Sequence, residues 1–136
     1  MPMEEPLFSW FLLVGRVFLS LIYLVSGLHK GIYFQKAVAE FQEARVPFTR
    51  IAVVLTVVLH VVAALCLIIG VFVREVAMVL AIFTIVANWR VHDFWNLRDG
   101  PERLLQSRFA LAHLAVVGGL LLLAAIGPGR LVFLPH

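Results

Sequence analysis

Only one cysteine, Cys66, occurs in the 136 residues, and it lies inside an apolar run. A disulfide framework is thereby excluded, and so is a zinc or iron–sulfur site built from thiolates of this chain. Charge is also scarce: Asp, Glu, Lys and Arg make up 14% of the residues, against about 25% in an ordinary soluble domain. No cleavable signal peptide is expected, because Glu4 and Glu5 stand where such a segment carries Lys or Arg, and the first apolar run is too long. The sequence has no soluble linker, no phosphate loop, no paired carboxylates, and no hydroxyl nucleophile in register with a His and an acid. The chain is therefore not expected to be catalytic on its own.

Apolar residues, by contrast, are abundant. They form 62% of the chain, and the mean hydropathy is +1.01. Such an excess must face something other than water, and lipid is the simplest candidate. Four spans of about 20 residues joined by short connections use nearly all of the length. The expected fold class is all-α: an integral membrane four-helix bundle forming one domain over residues 1–136, with spans at about 7–30, 49–73, 74–95 and 107–127. Between the first two spans, Phe34, Ala37, Val38, Phe41 and Ala44 fall at helical spacing, while Lys36, Glu40, Glu43 and Arg45 lie on other faces. This pattern predicts a short amphipathic helix in the membrane interface, closed by Pro47.

A net charge of +3 invites a nucleic-acid reading, but the basic residues are few and tied to helix ends. Lys30, Lys36, Arg45, Arg50, Arg90, Arg98, Arg103 and Arg108 belong to the first and third connections, Arg74 and Arg130 to the opposite side, and Arg16 to the first span. The positive-inside rule places the first and third connections in the cytoplasm and both termini outside, in a bacterial plasma (inner) membrane.

The hydrophilic residues within the spans are patterned. On a helical wheel, Ser9, Ser20, Tyr23, Gly27 and Lys30 fall within about 40° of Arg16. Charge facing lipid costs at least ~2.5–3.5 kcal/mol, so this stripe should face the bundle. Matching stripes are Thr49, Thr56, His60 and Ala64 in the second span, Ala77, Ala81, Thr84, Asn88, His92 and Trp95 in the third, and Gln106, Ala110, His113, Ala124 and Gly127 in the fourth. Arg16 has no carboxylate at its depth, so its guanidinium must use carbonyls, water or a ligand, or else reach outward to Glu75 or lipid head groups. A ligand rich in oxygen, such as a quinone head group or a lipid phosphate, would suit it. Arg16, Lys30, His60, Asn88, His92 and His113 are the candidate ligand-binding residues.

His60 and His113 also invite a haem, and His29, His92 and His113 a copper or zinc ion. A buried His bonded to a neighbour is the commoner situation, so neither haem nor metal is expected. The run His92-Asp93-Phe94-Trp95-Asn96 reads chiefly as a helix end with interfacial aromatic anchors.

Taken in order, Arg16 with Gly27-Leu28-His29-Lys30, then Val46-Pro47, Gly70 with Arg74, His92-Asp93-Phe94-Trp95, Gly118-Gly119 and Gly127-Pro128-Gly129-Arg130 resemble the pattern of DoxX-type membrane proteins over almost the whole chain. That resemblance implies a four-helix bacterial or archaeal membrane protein related to small subunits of quinone-linked redox complexes. The family often has an acidic residue where His60 stands and Asn where His113 stands, which makes the two histidines this chain's most individual feature. The expected function is thus a small integral subunit that anchors or assists a larger membrane redox complex, with the bilayer and other subunits as partners and a quinone as the ligand. The alternatives are an oligomeric carrier for a small molecule or metal, and a purely structural subunit.

Overall fold

The computed structural model describes residues 4–133. Its first helix, α1 (Glu5–Ile32), has Pro6 in its first turn, where the missing amide is no loss. At about 1.5 Å per residue, its 28 residues exceed a ~30 Å hydrocarbon core, so its ends emerge from lipid. Tyr33 alone separates it from α2 (Phe34–Glu43), the expected amphipathic helix. α2 buries Ala37 and Val38 against Val53 of the next helix. α3 (Thr49–Ile69) starts after Phe48 and stops at Gly70, both left-handed. At Gly70, with φ +97°, a Cβ would also meet Val132 at 2.6 Å. α4 (Val73–Val91) follows a tight turn, and α5 (Pro101–Ile126) begins directly after Gly100 and ends at Gly127. α1, α3, α4 and α5 are long and apolar enough to cross a membrane. No strand occurs among the described residues.

Two α-helix ends differ from the expected span limits, although the third candidate span, Val73–Asn96, agrees with the expected 74–95. The third span does not continue as α-helix to residue 95. The His92 amide makes the last helical bond, to the Asn88 carbonyl, and Phe94–Asn96 forms a 3-10 turn. The 19 residues of α4 reach about 28 Å, and the 3-10 turn carries the candidate span on to Asn96. The fourth helix starts six residues earlier than expected, because Gly100-Pro101 is a competent helix start and Arg103 pairs with Asp99 in its first turn.

α1 packs antiparallel on α3, and α4 antiparallel on α5. The two pairs join through α3–α4 and α1–α5 contacts, which leaves α1 diagonal to α4. α1 and α3 approach closely at Gly27, where a Cβ would lie 2.9 Å from the His60 Cβ. The shared core is formed by Tyr23, Ala64, Leu67, Leu80, Ala81 and Leu120, among others. Large side chains such as Phe18, Ile82 and Leu122 point outward, as lipid-facing residues do. In α1 the buried residues are Ser9, Arg16, Ser20, Tyr23 and Gly27, so the hydrophilic stripe is turned inward. After Gly127 the chain folds back over the end of α3, where the Phe133 amide donates to the Ile69 carbonyl at 2.8 Å.

Candidate functional site

Two polar centres lie inside the bundle. The first is Arg16, fully buried. Its Nε donates to the Leu67 carbonyl at 3.0 Å and Nη2 to those of Ile68 at 3.3 Å and Leu131 at 2.7 Å, while Nη1 donates to the Pro128 carbonyl. A helix end leaves its last carbonyls without amide partners, and lipid supplies none. Here every terminal carbonyl of α3 is met: Cys66 by the amides of Gly70 and Val71, Leu67 and Ile68 by Arg16, and Ile69 by Phe133. The cation also sits at the negative end of the α3 dipole. Of the options open to Arg16, carbonyls are the ones used, rather than Glu75 or lipid head groups. Arg16 lies apart from the other candidate ligand-binding residues: it is absent from the wall of the cavity that gathers them, and four of its five N–H groups go to carbonyls.

That cavity, about 560 Å³, is the second centre. Its walls come from α1, α3, α4 and α5, and Glu40, Phe41, Val46 and Pro47 close one end. Lys30, His60, Asn88, His92 and His113 all line it. The antiparallel pairing explains this convergence: the C-terminal parts of α1 and α4 meet the N-terminal parts of α3 and α5 at one end of the bundle. Ile22 and Val86 line the cavity and are also exposed on the outer surface, so the cavity reaches the lipid-facing side.

His60 is only 5% exposed. It stands edge-on to Tyr23 and Phe83, with ring centroids 5.2 and 4.9 Å away. Neither of its ring nitrogens has a hydrogen-bond partner, nor does Asn88 Oδ1; these are the buried side-chain atoms so left among the described residues. The amide orientation of Asn88 is fixed, because Nδ2 donates to the Ala110 carbonyl at 3.2 Å and the flipped amide would set oxygen against oxygen. Buried polar atoms are nearly always paired, so these three orphans are unusual.

Several of the remaining groups make contacts within the protein. The hydroxyls of Tyr23 and Thr84 bond each other, and Lys30 Nζ donates to Ser26 Oγ. His92 Nδ1 is 2.6 Å from Gln106 Oε1, and the His92 ring stacks on His113 at 4.9 Å. His29 is exposed and packs on Tyr33, so the trio His29, His92 and His113 is not assembled. No cluster of three or more His, Cys, Asp or Glu suited to a metal occurs among the described residues. Phe83 gave no sequence signal for its place beside His60, because an apolar residue in an apolar helix looks lipid-facing.

A family model described as DoxX matches residues 11–93. The chain is 27% identical over 123 residues to the inner membrane protein YphA of Escherichia coli (strain K12), covering 88% of this chain and 85% of that protein. It is 31% identical over 123 residues to the Surfeit locus protein 4 homolog of Schizosaccharomyces pombe, covering 90% of this chain but 36% of that protein, little more than a third of its length. No solved structure matches the chain.

Proposed function

The chain belongs to the DoxX family of membrane proteins, and on that premise we propose that it is a small integral subunit of a quinone-linked membrane redox complex whose cavity receives the quinone head group. One observation carries this reading: Lys30, His60, Asn88, His92 and His113 gather on the wall of a cavity of about 560 Å³, within the usual size of a small-molecule site. Aromatic rings flank His60, and the cavity wall includes Ile22 and Val86 on the lipid-facing surface. An isoprenoid tail can thus stay in the bilayer while its head group enters.

The subunit lies in a plasma membrane with both termini outside. The basic first and third connections put the Lys30 end of the bundle, and with it the cavity, on the cytoplasmic side. α2 and the loop Asp93–Gly100 offer that side a polar surface for neighbouring subunits.

Quinone content is the direct test. Protein purified with its native lipids into nanodiscs should yield about one quinone per chain on solvent extraction, and His60→Leu should lose it while remaining folded. A preparation with no more quinone than its lipid predicts would refute the site. Native gels probed for quinone-reactive activity would test the assembly, and migration as a bare monomer from gently solubilised membranes would refute the subunit role.

A further inference from the structure

We infer that the Lys30 ammonium binds a quinone carbonyl oxygen, and that its charge holds the one-electron-reduced head group in the cavity as the semiquinone anion. This rests on the quinone reading above and on the direction in which Lys30 reaches. A lysine near a helix end ordinarily snorkels, carrying its charge out to the lipid head groups. Lys30 stands two residues before the end of α1, yet its Nζ donates to Ser26 Oγ, one turn deeper in the same helix. Ser26 and Lys30 both line the cavity. The charge also acts on His60 and His113, which line the cavity from α3 and α5. The ammonium is thus turned into the bundle rather than out of it.

No anion of the protein meets it there. Neither ion pair among the described residues includes Lys30. Glu40, the one acid on the cavity wall, is exposed and beyond ion-pair distance. Arg90, the other Lys or Arg on that wall, is exposed as well and donates to the Arg45 carbonyl. Ser26 takes one of the three N–H groups of Lys30 and leaves two for a guest. A neutral quinone carbonyl can accept from them. A charged oxygen answers better, because attraction between opposite charges strengthens away from water and an ion there is costly without its counter-charge. The first electron, supplied in the complex by a one-electron carrier of a neighbouring subunit, enters the quinone without a proton and leaves one negative charge shared by its oxygens. The second electron and two protons complete the neutral quinol, which loses that attraction. Tenfold tighter binding of the anion than of the quinone raises the potential of the first electron by about 59 mV.

The test loads wild-type protein in phosphatidylcholine nanodiscs with a short-tailed benzoquinone and reads the radical by electron paramagnetic resonance through an anaerobic, mediated redox titration. A semiquinone signal should appear, with a nitrogen coupling that changes when lysine is labelled with heavy nitrogen. The label reports on Lys30, because Lys36 is the other lysine and is exposed on α2, outside the cavity wall. Lys30→Gln, checked for folding by its melting temperature, keeps a donor without the charge. It should bind the quinone with similar affinity while the maximal radical falls about tenfold. Bound quinone without a radical in the wild type, a radical without the lysine coupling, or an undiminished radical in Lys30→Gln would overturn the role of Lys30 while leaving the quinone site standing. Equal loss of quinone and radical in that variant would do the same. No quinone binding by the wild type would overturn both.

Discussion

A guanidinium facing acyl chains costs at least ~2.5–3.5 kcal/mol, and Arg16 escapes that cost by bridging three separate segments through carbonyls. Arg16→Leu strands four of them, at about 1–3 kcal/mol for each that stays buried. The expected result is a strong fall in melting temperature in mild detergent, with early protease cutting in residues 127–133. Arg16→Lys, which has fewer donors and no planar fork, should recover only part of the loss. His60 should behave in the opposite way. Its ring has no hydrogen-bond partner to lose, so His60→Leu should hold or raise the melting temperature while abolishing ligand binding. At this scale the sequence announced that Arg16 turns inward, because its stripe-mates are small or polar. It could not announce the partners: the Pro128 and Leu131 carbonyls lie 112 and 115 residues away and belong to a stretch with no periodicity.

Among the helices, the pairing of α1 with α3 depends on the absence of a side chain at Gly27. A Cβ there would meet His60 Cβ at 2.9 Å and Val61 Cγ2 at 3.1 Å, atoms close to the α3 backbone that cannot swing aside. Gly27→Ala should cost about 1–3 kcal/mol by overpacking, read as a lower unfolding midpoint in a denaturing-detergent titration. Gly118→Ala is the control. Its Cβ would meet nothing within 4 Å, and alanine favours helix by up to ~1 kcal/mol, so stability should hold or rise. The four spans and the amphipathic helix were legible because each is a long, strongly patterned run. The helix ends were less so, since α4 stops at Val91 beside a His92–Gln106 contact across to α5 and an Asn96–Asp93 hydrogen bond that hydropathy does not register.

For the whole molecule, orientation is the consequence to test. The single native Cys66 lies within α3 and gives little background to a charged thiol reagent. Cysteine placed at Lys36 or Arg98 should label only from the cytoplasmic face of sealed vesicles, and cysteine at Arg130 only from the other; the reverse pattern would invert the topology. The gathering of Lys30, His60, Asn88, His92 and His113 at one end was half legible: stripes put each on an inner face, and antiparallel order put them at similar depth. The opening toward lipid at Ile22 and Val86, and the orphaned atoms, emerge only once the four helices are packed.

The clasp around Arg16 also sets an order of events during synthesis. The ribosome makes the arginine 112 and 115 residues before its Pro128 and Leu131 partners. Until then the nascent protein carries a cation whose bonds are incomplete, beside a half-covered α3 terminus. Assembly is thus held open until that segment has been made, and a chain stopped before residue 131 should remain a poorly latched target for membrane quality-control proteases.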